Sequence, residues 1–393
     1  MMVMITGVSE ENAEKTLGGN SMRRMIRFHG ALGVILCTGM GFPVSAQMPD
    51  AVPTVHHQIR HRLKDAALTL QFRGSTPNQF GQWQKQFRGQ LNELLGDSGP
   101  PEEWTVRELA RQEQDDHVRH ELMLEADGFD SVPVYLLLPV RTKAERLPAV
   151  LCVHGHGQFG HDAVVGRRDR PGIAAAIESA NYDYGLQFVR RGYAVVAPCL
   201  IPFGPRVDRE SYRGNDPCAV TFVRMQALGL LPITENLRSL RWGIDLLQNR
   251  PEVDPSRIGC AGLSYGGRMA MLVSAIDERI RVSAVSGALN LMQERFAGRH
   301  SCGSQMIPGL LKYGDYSEIG SLIAPRPCVW ETGSRDGLIV AGWDERFRER
   351  LETAYAASGF PEALKYDRFE GGHRWSGAVA FPLFDRVLKS GGR

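Results

Sequence analysis

The chain has 393 residues, of which 43% are hydrophobic and 23% are charged, a composition typical of a globular protein with a large core. Its 46 Lys and Arg nearly balance its 44 Asp and Glu, so the formal net charge is only +2 at pH 7. This balance excludes a global field that would draw the protein to nucleic acid or to a membrane surface. We therefore expect a small-molecule partner.

The first residues have the pattern of an export signal. Arg23, Arg24 and Arg27 precede an apolar stretch, and Val44-Ser45-Ala46 is a small-residue cleavage site. The apolar run falls short of the roughly 20 residues that a membrane span needs. We expect residues 1–46 to be a leader and signal peptide, with no membrane contact beyond that signal, and the protein to be exported to the periplasm or the medium.

Residues 47–116 form a polar accessory segment with one predicted helix, in which Trp83, Phe87 and Leu91 recur at helical spacing. Residues 117–393 follow as the main domain. It opens with a predicted antiparallel hairpin, over 120–126 and 132–138.

The rest of the main domain alternates short apolar runs with longer helical stretches. The runs lie at 149–153, 194–198, 258–261, 282–285 and 328–331. Strands buried on both faces and separated by helices predict an α/β fold, with a mostly parallel central sheet flanked by helices and an N-terminal helical extension. In such sheets, function gathers in the loops after the carboxyl ends of the strands.

One such loop carries a candidate nucleophile. Gly262-Leu263-Ser264-Tyr265-Gly266 follows a predicted strand and precedes a predicted helix, which is the context of a nucleophile elbow. A serine hydroxyl needs a base to take its proton and a third group to orient that base.

The base and the acid are predicted in the order that this elbow requires. Asp336 lies in a loop after one strand, and His373 follows the predicted last strand in a glycine-rich loop. Glu331 and Asp344 remain alternatives for the acid.

A histidine-rich loop at residues 154–157 is the candidate oxyanion loop, and we expect the backbone N–H groups of His156 and Tyr265 to hold the oxyanion. A rival interpretation makes His154, His156 and His161 the metal ligands of a metallohydrolase. We favour the interpretation without metal or cofactor.

Most cysteines of the mature chain lie in apolar runs: Cys152, Cys199, Cys260 and Cys328. Cys218 and Cys302 lie in polar stretches, where a disulfide between them is an open alternative.

From about residue 78 to the C-terminus the chain resembles the α/β-hydrolase superfamily, in its dienelactone hydrolase and acetyl xylan esterase-like branch. CVHGHG, VDPSRIG before the elbow, GSRDGL and EGGHRW carry the resemblance. It implies a serine carboxylic ester hydrolase, because Ser264 stands where dienelactone hydrolases have cysteine.

The resemblance also suggests small, acetyl-like acyl groups on carbohydrate-type alcohols. An exported serine peptidase or amidase is the alternative. We expect residues 289–321, between two core strands, to cover the site. The oligomeric state is left open.

If the export signal is cleaved after Ala46, the exported protein begins at Gln47. Intact-mass and N-terminal peptide analysis of secreted material checks this, and secreted protein that retains Met22 or an earlier residue would refute it.

Overall fold

The predicted central sheet is present in the computed structural model, which describes residues 54–140, 145–298 and 301–389. Within these residues, nine strands form one sheet in the order β1-β2-β3-β5-β4-β6-β7-β8-β9. They are β1 Thr105–Glu113, β2 His117–Glu125, β3 Val132–Pro139, β4 Leu147–Val153, β5 Ala194–Pro198, β6 Val253–Leu263, β7 Ile280–Ser286, β8 Cys328–Gly333 and β9 Leu364–Phe369. The predicted leader and signal peptide lie outside the described residues.

The sheet is antiparallel at one side and parallel through the rest. β1, β2, β3 and β5 pair antiparallel in that order. From β5 through β4, β6, β7 and β8 to β9 every pairing is parallel. The carboxyl ends of β4, β6, β8 and β9 therefore open on the same edge, and each is followed by a loop that carries a predicted site residue.

Two helices precede the described strands, one follows β9, and the others lie between strands. They are α1 Val55–Lys64, α2 Pro77–Leu95, α3 His161–Val164, α4 Ile173–Ala180, α5 Tyr184–Arg190, α6 Pro217–Ala227, α7 Pro232–Gln248, α8 Tyr265–Ile276, α9 Met292–Gly298, α10 Tyr316–Ser321, α11 Trp343–Ser358 and α12 Ala380–Phe384. Short 3-10 turns lie at Gly204–Arg206, Gly303–Gln305, Leu310–Lys312 and Pro361–Ala363, and a π-helical turn at Asp385–Lys389.

Both faces of the sheet are buried at its centre. All seven residues of β4 and all five of β5 are buried, as expected of parallel strands covered by helices on each side. The buried apolar residues form two main clusters. One contains residues of α7, α8 and α11, and the other contains residues of α5 and α12. The predicted α/β fold is confirmed.

The helix predicted in the accessory segment is α2. Thr76 caps it and Gln79 completes a capping box, while Phe80, Trp83, Phe87, Leu91 and Leu95 are buried along one side. The helix packs against α11.

Strand β1 also lies within the segment predicted as accessory, and it extends the sheet by pairing with β2. Eight of its nine residues are exposed and the ninth is partly buried. The alternation of polar and apolar residues that marks a half-buried strand is therefore weak here. The boundary between residues 116 and 117 stays a prediction, because the compact unit itself runs from Val55 to Arg393.

No single helix among the described residues has the length and apolar character of a membrane span. One bent pair, α6 with α7, meets that test together by length and composition alone.

Candidate active site

Ser264 lies at the sharp turn from β6 into α8. Its backbone has φ 66° and ψ −123°, a conformation that residues other than glycine rarely adopt and that costs about 1–3 kcal/mol. The turn is held because the Ser264 N–H donates to the Ser286 carbonyl over 2.9 Å, and the Ser264 carbonyl accepts from the Arg268 N–H over 3.0 Å. The side chain is thereby presented at the edge of the sheet.

Glycines beside Ser264 let three backbone segments meet. A Cβ on Gly266 would stand 1.9 Å from the Val153 carbonyl oxygen, and one on Gly262 would stand 2.2 Å from the Gly266 carbonyl oxygen. Real Cβ atoms do not approach so closely, so any larger residue would push α8 away from β4 and β6. The GLSYG pattern thus has the local geometry of a nucleophile elbow.

His373 lies in the loop after β9, with its Nδ1 atom 2.7 Å from Oδ2 of Asp336. Asp336 follows β8, is only 6% exposed, and also accepts the Leu338 N–H over 2.9 Å. With Nδ1 turned to the carboxylate, the other ring nitrogen, Nε2, is buried and has no hydrogen-bond partner among the described residues. This is the nitrogen that a neighbouring hydroxyl would need.

Glycine also makes room for the imidazole. Gly287, after β7, has φ 62°, and a Cβ there would stand 2.6 Å from Cε1 of His373. The imidazole therefore lies directly over the loop that follows β7.

The two alternative acids point elsewhere. Glu331 is fully buried in β8, where its carboxylate accepts the N–H groups of Gly377 over 2.9 Å and Ser376 over 3.3 Å. Burial raises the pKa of Glu331 to about 7. Asp344 lies in the first turn of α11, 3.7 Å from the Arg348 guanidinium. The structure thus brings Asp336 to His373, while its catalytic role stays a prediction.

The loop that contains His156 lies against Ser264. A Cβ on Gly155 would stand 2.8 Å from the Leu263 carbonyl oxygen and 3.1 Å from Cβ of Ser264, so the peptide between Gly155 and His156 is next to the nucleophile. Tyr265 is the first residue of α8, so its N–H belongs to the start of the helix. The backbone at both predicted oxyanion donors therefore lies close to Ser264 in space.

His154 and His161 are buried structural residues. His154 Nε2 accepts the Leu200 N–H over 2.8 Å, and burial lowers the pKa of this imidazole to about 3. His161 Nδ1 is 2.9 Å from the Ala197 carbonyl oxygen, and burial lowers its pKa to about 4. The structure does not bring the rival set of His154, His156 and His161 together as metal ligands. Among the described residues, His156 instead clusters with Cys218 and Cys302.

Tyr182 is a site residue that sequence reasoning missed. Its hydroxyl accepts the Gly155 N–H and therefore fixes the position of the predicted oxyanion loop. Burial raises the pKa of this phenol, so it stays protonated. Tyr182 lies between α4 and α5, far from the loop in sequence, and no motif marks it.

Ser264 and His373 line one cavity of about 350 Å³. Most of its other lining residues are small or apolar and belong to the segment 156–182, among them Phe159, Ala163, Ala176 and Ala180. The described residues of the segment 289–321, which we expect to cover the site, contribute none of the lining. Ser304 of this segment contacts the residue after the nucleophile instead, since the Tyr265 hydroxyl donates to the Ser304 carbonyl over 3.3 Å.

The six described cysteines are free thiols. Cys152, Cys260 and Cys328 are buried in β4, β6 and β8, and Cys199 is buried after β5, as predicted. The alternative of a disulfide between Cys218 and Cys302 is not realised. Instead, a hydrogen bond with Cys218, helped by the neighbouring His156, lowers the pKa of the Cys302 thiol.

Several known proteins are similar to this chain. The "Putative hydrolase YtaP" of Bacillus subtilis (strain 168) is 31% identical over 295 residues, which cover 73% of this chain and 92% of that protein. A solved structure described as a "putative acetyl xylan esterase" of Bacteroides fragilis NCTC 9343 is 20% identical, with a TM-score of 0.68, over 83% of this chain and 84% of that one.

A glucuronoyl esterase from Solibacter usitatus is 13% identical, with a TM-score of 0.57, over 82% of this chain and 96% of that one. These two structures share the fold. The sequence model of a protein family described as the Abhydrolase family matches residues 52–376 of this chain. The chain therefore belongs to the Abhydrolase family and has the α/β-hydrolase fold that its sequence resembles.

Proposed function

We propose that this protein is a serine carboxylic ester hydrolase that acts through an acyl-enzyme. The observation that carries the proposal is the joint placement of Ser264, in a strained elbow, and His373, bonded to Asp336, on the wall of one cavity. A positioned nucleophile, a base and a group that orients the base are the parts that acyl transfer needs.

In the proposed reaction, the Ser264 hydroxyl attacks the ester carbonyl while His373 Nε2 takes its proton. The N–H groups of His156 and Tyr265 stabilise the resulting oxyanion, aided by the positive end of α8. His373 then returns the proton to the leaving alcohol, which departs as the acyl-enzyme forms. Water, deprotonated by the same imidazole, releases the acid and frees Ser264.

The cavity supports a small acyl group. It has about 350 Å³, near the lower end of the range for ligand pockets, and an alanine-rich wall. One of the two structural neighbours is described as a "putative acetyl xylan esterase" and the other as a glucuronoyl esterase, and both names refer to esters of carbohydrates. We therefore propose acetyl-like esters of carbohydrate-type alcohols as substrates, met outside the cytoplasm after export.

A panel of substrates tests this proposal. Purified protein should cleave aryl acetate and acetylated xylo-oligosaccharides faster than an aryl palmitate, because a palmitoyl chain exceeds a cavity of about 350 Å³, and faster than an acetanilide. Ser264→Ala should abolish turnover, while Ser334→Ala, which removes an exposed hydroxyl after β8, should leave it unchanged. Amide cleavage that exceeds ester cleavage would favour the peptidase alternative, and turnover by Ser264→Ala would contradict the assignment of the nucleophile.

The acid is tested by removing its charge. Asp336→Asn should lower kcat by a factor on the order of 10³ to 10⁴ with KM little altered, because the imidazole loses its orientation and the stabilisation of its charged form. This magnitude is taken by analogy from serine proteases.

Glu331→Gln and Asp344→Asn are the matched controls and should have far smaller effects, because neither carboxylate bonds to His373. Steady-state kinetics on an aryl acetate provide the readout. If Asp336→Asn keeps most of the activity and either control loses it, the assignment of the acid is overturned.

A further inference from the structure

A second group of reactive side chains adjoins the cavity. We call it the thiol–imidazole cluster, and it consists of His156, Cys218 and Cys302. One imidazole nitrogen and the two Sγ atoms all lie within 4.8 Å of one another. The proposed ester chemistry uses only the backbone N–H of His156, so it leaves all three side chains without a role.

The cluster is built on fixed backbone. Cys218 is in the first turn of α6, where its N–H donates to Asp216 over 3.1 Å. Cys302 precedes Gly303, where a Cβ would stand 2.7 Å from Cβ of Phe222 in α6 and 3.2 Å from the Cys218 carbonyl oxygen. The close packing at Gly303 therefore keeps the two thiols side by side although they are far apart in sequence.

The imidazole is also positioned. The ring of His156 contacts the rings of Phe203 and Tyr265 edge-on, with centroids 5.3 Å and 5.1 Å away. Cys218 is buried and Cys302 is partly buried, whereas His156 is exposed. The cluster is thus closed on the protein side and open to solvent on the side of His156.

These donors suit a soft divalent metal. Zinc binds thiolate sulfur at about 2.3 Å and imidazole nitrogen at about 2.0 Å in a tetrahedron, which sets two thiolates and one imidazole about 3.5 to 3.8 Å apart. To reach these distances from their present separation of up to 4.8 Å, the three donor atoms must move closer together, and the exposed His156 imidazole can make most of that movement. None of the three side chains is a carboxylate of the kind that calcium or magnesium prefers. We propose that His156, Cys218 and Cys302 bind one zinc ion.

Three protein ligands leave one position of the tetrahedron open, as in zinc sites that exchange water or a ligand. Since His156 also lines the cavity that contains Ser264 and His373, the ion would lie at the rim of that cavity. The proposal does not depend on ester hydrolysis and assigns the metal no step in it.

Cobalt titration tests the site. The full-length protein is reduced, freed of metal and kept anaerobic, and Co²⁺ is then added. We expect one Co²⁺ per chain, with a near-ultraviolet band from thiolate-to-cobalt charge transfer that Zn²⁺ abolishes. Cys218→Ala and Cys302→Ala should each lose the band, and His156→Ala should weaken binding.

Matched controls are Cys152→Ala, which removes a buried thiol in β4, and His120→Gln, which removes an imidazole in β2. Both should keep the band. Ser264→Ala should also keep it, so a failure of the metal site and a failure of the ester hydrolase proposal are distinguishable.

Alkylation of the unaltered protein gives a second readout that needs no variant to fold. Zn²⁺ should slow the reaction of iodoacetamide with Cys302 and Cys218, as mapped by peptide mass spectrometry. A reduced protein without a band and without zinc protection, including one whose two thiols only form a disulfide on oxidation, would overturn the proposal. A band that persists in both cysteine variants would do the same.

Discussion

The structure depends on the close contact of three backbone segments around Ser264. Residues at 262 and 266 must be glycine because the Gly266 position meets the end of β4 and the Gly262 position meets the first turn of α8. That contact forces Ser264 into a positive φ, and the strain is held by the hydrogen bond to Ser286 and by the packing of α8. Without this contact of the three backbone segments, the Ser264 hydroxyl would not stand at the edge of the sheet.

The parallel sheet then supplies the partners. Because β4, β6, β8 and β9 end on one edge, loops that are far apart in sequence deliver His156, Ser264, Asp336 and His373 to the same place. Each position is secured by a different local device. Gly287 makes room for the imidazole of His373, and the Tyr182 hydroxyl anchors Gly155.

Sequence patterns predicted the parts of this arrangement that are encoded locally. Hydrophobic runs predicted the core strands, and the glycines of the elbow marked the turn into α8. The predicted hairpin is formed by β2 and β3. Strand β1 was missed because nearly all of its residues are exposed, so burial leaves no periodic signal. Tyr182 was missed because its importance arises from a tertiary contact with Gly155 that no short motif encodes.

The cover expected from residues 289–321 stays a prediction, and their described residues do not line the cavity, since the length of an insertion does not indicate which loop it covers. The lining instead comes from the segment after β4 that carries α3 and α4, which pack beside the elbow. The nearness of Cys218 to Cys302 likewise comes from the packing of Gly303 on α6, whereas sequence could only leave their pairing open.

The role of Ser264 as the nucleophile can be measured directly by intact-protein and peptide mass spectrometry after reaction with an alkyl organophosphonate. We expect one phosphonyl group per chain, on Ser264, with loss of activity in proportion to labelling, and the same labelling after treatment with a chelator. A label on another residue would show that Ser264 is not the nucleophile. So would a Ser264 that stays unlabelled in a protein whose activity is lost to a chelator and restored by zinc.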